Sequence, residues 1–143
     1  MNEISFRIRT FVFPEDYPAV LSLWETSGPG LRVGRSDSPQ EIQKKLERDP
    51  DLFLVAETSG KIIGTVLGGF DGRRGMVYHL GVLPEHQRLG IGCALLNEVE
   101  DRLRQKGCLK CYLMVIKDNN ATQFYKDCGW SLLDLQLFAK ELD

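Results

Sequence analysis

The chain has 143 residues, the length of one ordinary domain, and its 43% hydrophobic and 27% charged residues furnish a real core under a solvated surface. The formal net charge of -2, with 18 Lys and Arg and 20 Asp and Glu spread without blocks, argues against a nucleic-acid binder. No run approaches the ~18 to 20 apolar residues of a membrane span, and Met1 to Arg7 lack the basic-then-apolar layout of a signal peptide. The expectation is a cytoplasmic, membrane-free protein whose Cys93, Cys108, Cys111 and Cys128 are reduced thiols.

Without repeats or a Pro/Gly/Ser-rich linker, residues 1–143 read as a single domain. Ile4 to Phe11, β-branched and aromatic with polar residues interleaved, predicts a strand. A helix beginning near Pro14 carries Tyr17, Val20, Leu21 and Trp24 on one stripe and stops at Ser27-Gly28-Pro29-Gly30. Trp24 is either core or part of an acceptor site together with the Gly28 to Asp37 loop. Ser38-Pro39-Gln40-Glu41 reads as a capping box opening a second helix to about Arg48. Leu52 to Glu57, Lys61 to Phe70 and Met76 to Leu83 then predict an antiparallel meander joined by short Gly-containing turns. Pro84 ends its last strand because it cannot donate to a ladder.

Gly90 to Lys106 predicts a long helix, with Ile91, Leu95, Val99 and Leu103 on its buried face and Gly107 as terminator. Leu109 to Ile116 reads as a strand and Ala121 to Cys128 as a short helix. The tail from Trp130 to Leu142 reads as two short strands. The order is β-α-α-β-β-β-α-β-α-β-β, an α/β fold with a mixed, largely antiparallel sheet flanked by helices. Cys108-Leu109-Lys110-Cys111 has half-zinc-site spacing, but no second pair completes it and no metal is expected.

Gln87-Arg88-Leu89-Gly90-Ile91-Gly92-Cys93 lies between a strand and the long helix. The first N–H groups of a helix have no internal partner, and the macrodipole adds positive character there. Glycines at 90 and 92 leave that backbone open to a phosphate, forming an anion cradle, although they also suit plain close packing of the helix. The three-glycine dinucleotide fingerprint is not met, since Leu95 occupies its third position, and the Walker lysine is missing.

At these residues the sequence resembles the GNAT superfamily of acyl-CoA-dependent N-acetyltransferases. The resemblance rests on Leu80 to Gly92 with Leu95-Leu96, on Ala121, Phe124-Tyr125 and Gly129-Trp130, and on Phe53 to Gly64. It implies that acetyl-CoA is the co-substrate. Its pyrophosphate would lie on the amides from Arg88 to Cys93, and its pantetheine arm would pair with the backbone of Leu80, Gly81 and Val82. The family's asparagine falls where this chain has Asp118, so Asn119 either takes over that contact or caps the helix.

The resemblance further implies direct attack by an amine through a tetrahedral intermediate, with Tyr125 as the acid for the departing thiolate. Plain alternation puts Met76, Tyr78 and Leu80 on one strand face and Val77 and His79 on the other. Tyr78 then lines the acceptor site and His79 belongs to packing, which leaves no direct base; deprotonation relayed through a water, with Glu57 as one candidate behind it, is the expectation. Cys93, in the first helical turn, has the setting of a reactive thiolate, though a small residue also suits packing there. The expected acceptor is a small-molecule amine or a protein amino group; the oligomeric state stays open between a monomer and a homodimer paired through the exposed final strands. The alternative is an acyl-CoA-binding sensor that transfers nothing.

Overall fold

A computed structural model describes residues 4–28, 30–117 and 121–142. Strand β1 (Arg7–Thr10) leads to helices α1 (Tyr17–Thr26) and α2 (Pro39–Arg48), with a 3-10 turn, Arg35–Asp37, between them. Strands β2 (Phe53–Thr58), β3 (Lys61–Phe70) and β4 (Gly75–Val82) form the expected meander. After a 3-10 turn at Pro84–His86 come helix α3 (Ile91–Gln105), strand β5 (Cys111–Leu113) and helix α4 (Ala121–Asp127). The sheet runs β1-β2-β3-β4-β5, antiparallel throughout except for the parallel β4–β5 pair.

Helix α3 buries Ile91, Leu95, Leu96, Val99 and Leu103 against one face of the sheet, and Phe124, Tyr125 and Cys128 pack on the same cluster. The opposite face is covered by Val20, Leu23 and Trp24 of α1 and Ile42 of α2. With both faces covered, the middle of β3 is buried without alternation, the Thr65 hydroxyl donating to the Leu54 carbonyl. Helix α2 starts as its sequence dictates: Ser38 Oγ accepts the Glu41 N–H at 3.3 Å. Only half of the capping box forms, because the Glu41 carboxylate pairs with Lys44 at 2.9 Å. Helix α3 ends in paired bonds from Gly107 N–H to Arg104 C=O and Cys108 N–H to Leu103 C=O, with Gly107 at φ +90°.

The two final strands expected between Trp130 and Leu142 do not form: those residues carry no strand. Leu133-Asp134-Leu135-Gln136-Leu137 has the period of a strand, but a strand exists only where its backbone finds a ladder. Strand β5 is paired for three residues and on one side alone, among the described residues. The tail keeps Leu132, Leu135, Leu137 and Phe138 largely exposed and touches Arg35 through Glu141 at 3.1 Å.

Candidate active site

The site is organised by one extra residue in β4. Phe70↔Gly75 through Leu67↔Tyr78 pair in one register with β3, whereas Thr65↔Gly81 and Gly64↔Val82 are displaced by one residue. The surplus falls at His79 and Leu80, with His79 in the left-handed region at φ +50°. A bulge of this kind bends its strand and sharpens the twist. The parallel ladder with β5 ends where it begins, Val77↔Leu113 being its last pair. The strands therefore part at residue 78, well before Pro84, the residue expected to end the strand. Beyond that point Leu80, Gly81 and Val82 keep β3 on one side and lack a strand on the other among the described residues. The Val82 carbonyl accepts the Gln87 side-chain N–H at 3.0 Å, which marks that edge as open to an amide donor.

The same bulge overturns the expected alternation. Leu80 packs with Val77 on the α3 side rather than with Tyr78. His79 lies on the α1 and α2 side beside Tyr78, its ring 4.9 Å from that of Trp24. Two of its close neighbours are thus an aromatic wall and a carboxylate. His79 Nε2 is 3.0 Å from each oxygen of Asp37, a residue only 4% exposed. Asp37 also accepts the Gly34 N–H at 2.9 Å, and its carbonyl accepts the Tyr17 hydroxyl at 2.7 Å. Trp24, read from sequence as either core or part of an acceptor site, is 0% exposed and belongs to the core with Phe53. Tyr78 is 38% exposed and does face a cleft of about 820 Å³, whose walls include Asp37, Glu41, Met76 and His79. Burial holds the Tyr78 phenol above the ordinary tyrosine range.

At the start of α3, Gly90 adopts φ +86° as the cap residue and Arg88 adopts φ +66°. The first bond inside the helix runs from Ala94 N–H to Gly90 C=O, so the amides of Ile91, Gly92 and Cys93 precede any helical pairing. A side chain on Gly90 would meet nothing within 4 Å, so its role is conformational and the space before it is open. Gly92 is different: a Cβ there would lie 3.0 Å from the Phe124 ring. Helix α4 is seated on the first turn of α3 by that contact and by a Cys93–Cys128 disulfide with Cα atoms 6.3 Å apart. These two cysteines are therefore paired rather than the expected free thiols, and Cys93 is no independent nucleophile. Tyr125, next to Phe124, meets Trp130 edge-on at 6.4 Å, and burial raises its phenol above the ordinary range. Of the other cradle residues, Ile91 sends its side chain into the core, whereas Gln87, Arg88 and Leu89 are exposed.

Sequence comparison bears directly on this geometry. The family model described as "Acetyltransferase (GNAT) family" matches residues 17–130. The chain belongs to the GNAT acetyltransferase family. An acetyltransferase of Pectobacterium atrosepticum is 42% identical over 129 residues, 90% of each chain. One of Sodalis glossinidius is 44% identical over 121 residues, 84% of each. Among solved structures, PaiA N-acetyltransferase from Thermoplasma acidophilum in complex with coenzyme A superposes with a TM-score of 0.81 at 23% identity, over 93% of this chain and 94% of its own. Glucosamine-6-phosphate N-acetyltransferase from Arabidopsis thaliana gives 0.75 at 21%, over 97% and 99%. These two likenesses establish the GNAT fold.

Within that GNAT frame the structure gathers the predicted cradle at one end of the sheet, with the opened β4 edge leading up to it. Asn119, proposed from sequence as a CoA contact, lies outside the described residues, as does Asp118. The sequence reading missed Asp37. Its only local signal was its place just before the Ser38 cap, where an acidic residue reads as a loop residue.

Proposed function

We propose that this GNAT protein is an N-acetyltransferase that transfers the acetyl group of acetyl-CoA to an amine, either a small molecule or a protein amino group. The observation that carries the reading is the continuity between the unpaired edge of β4 at Leu80 to Val82 and the unpaired amides opening α3. An extended arm with amide groups and a pyrophosphate at its end fits the two in succession. Bound there, acetyl-CoA would supply the activated acetyl thioester.

The chain's own residues do the rest. The amides of Ile91, Gly92 and Cys93 hold negative charge at the positive end of α3. The backbone N–H groups around Val82 are fixed donors on the open edge, the kind of preorganised group worth ~10²–10³-fold when aimed at developing negative charge. Tyr125, kept protonated by burial, is the acid that supplies a proton to a departing thiolate. The cleft beside Tyr78 admits the amine. The reading includes action in the cytoplasm, where reducing conditions work against the Cys93–Cys128 bridge, and a homodimer that covers the exposed Leu135, Leu137 and Phe138. Sedimentation velocity tests the homodimer.

The deciding experiment is thiol release from acetyl-CoA across amines and N-terminal peptides, run beside a calorimetric CoA titration. Tight CoA binding with release on one acceptor class is the expected result. Binding with no release on any acceptor would replace the enzyme by an acyl-CoA-binding sensor, and no binding would overturn the cradle.

A further inference from the structure

From the pairing of His79 with buried Asp37, we infer that His79 is the base that takes the proton from the acceptor ammonium, with Asp37 as its positioning residue. The inference rests on the acetyltransferase reading above and fills the role that the sequence leaves empty.

The argument starts with burial. A carboxylate excluded from water must find donors or become costly. Asp37 finds the Gly34 N–H at 2.9 Å and His79 Nε2 at 3.0 Å. A carboxylate only accepts, so the neutral imidazole is held with its proton on Nε2. The lone pair then lies on Nδ1, for which no hydrogen-bond partner exists among the described residues, on a residue that lines the open cleft. Imidazole is the side chain suited to exchanging protons near neutrality. The other titratable groups of the cleft are Glu41, Lys44, Lys45, Arg48 and Asp49 of α2 and its end, Asp71 and Arg74 of the β3–β4 turn, Tyr78 of β4 and Tyr112 of β5, with Tyr17 of α1 bonded to the Asp37 carbonyl. None of these has an unperturbed pKa near neutrality.

A second observation supports the assignment. His79 is a non-glycine residue at φ +50°, a conformation that disfavours L residues. The bulge turns His79 onto the cleft side, and regular alternation would have buried it under α3. Strained backbone of this kind is found where a side chain must be re-aimed. The proton step balances simply. R–NH3⁺ gives one proton to Nδ1, yielding R–NH2 and an imidazolium whose charge faces the Asp37 carboxylate. The imidazolium later returns that proton to water.

The test uses the full-length protein, with lysine, spermidine and an N-terminal peptide as amine probes. His79→Asn is the variant of choice because asparagine tolerates the left-handed backbone; Asp37→Asn accompanies it. Thermal melting and CoA titration confirm folding. Expected are a fall in kcat/KM of ~10²–10⁴-fold for His79→Asn and loss of the acid limb of its pH profile. Asp37→Asn should show a smaller fall, in kcat rather than in KM or CoA affinity, because the ring loses the carboxylate acceptor that fixes its tautomer. Nitrogen-15 NMR of the wild type should find the neutral ring protonated at Nε2. Wild-type turnover with His79→Asn within threefold and the same pH profile would overturn the inference while leaving the acetyltransferase standing, as would a ring protonated at Nδ1. CoA binding without turnover in the wild type would overturn both.

Discussion

Gly75, Met76 and Val77 sit between β3 and β5 in a regular ladder, whereas Tyr78 to Val82 keep β3 alone and carry a bulge. The two halves belong to one eight-residue strand and share one neighbour. In the first half the backbone is paired with a strand on each side and Val77 is sealed under α3. In the second, one extra residue falls where the β5 ladder ends, His79 turns toward the cleft, and the edge beyond lacks a strand among the described residues. Pairing and burial are concentrated in one half and the proposed chemistry in the other, and the boundary is a single residue wide.

Perturbing the chemical half should change turnover and spare stability. The largest effect is expected for Tyr125→Phe on α4, which removes the proposed acid. A fall in kcat of ~10²–10⁴-fold is expected with unchanged CoA affinity and melting temperature. Because burial raises the Tyr125 phenol, the basic limb of the wild-type profile should lie above the ordinary tyrosine value of about 10. Unchanged kcat would remove Tyr125 from the mechanism.

The regular half should behave in the opposite way. Val77→Ala opens space beneath α3 and should destabilise the fold by about 2 kcal/mol, read from urea unfolding, with kcat/KM held within twofold where the protein is folded. A loss of activity without loss of stability would break the comparison.

A control far from both halves lies at the other edge of the sheet. Asp16 accepts two bonds from Arg9, at 2.6 and 3.0 Å, and one from the Val12 N–H, which hold its carboxyl below the usual range. Its folded value is lowered, so the stabilisation is present above the unfolded value and lost as pH falls through the folded one. Asp16→Asn should cost about 1–2 kcal/mol at neutral pH, and the gap to wild type should close in acid below about pH 3.9. The smallest effect is expected for Gly90→Ala. Its side chain meets open space, so only the left-handed backbone, worth about 1 kcal/mol, opposes it. CoA affinity should weaken about fivefold, read by calorimetry.

The pattern of agreement follows from what is local. The meander, α2 and α3 were legible because turn residues, caps and apolar stripes act within a few neighbours. The open start of α3, on which the proposed anion cradle rests, was legible for the same reason, since Gly90 and the first turn are adjacent in the chain. The bulge was not legible, because period-2 reasoning has no local cue for an extra residue and so put His79 on the wrong face. Asp37 was missed because its meaning depends on a partner 42 residues away. The tail failed from the other direction: its alternation is genuine, but pairing is a property of two segments.

Helix α4 has seven residues, too few for a helix to persist unaided in water. The bridge from Cys128 to Cys93 makes it a covalent branch of the fifteen-residue α3. Its opening is thereby coupled to that of a core helix rather than to the fraying of the chain end. Amide hydrogen exchange should accordingly report α4 and the first turn of α3 as one cooperative unit, separating into two when the bridge is reduced, so that the order of unfolding near Tyr125 follows the thiol state of the solution.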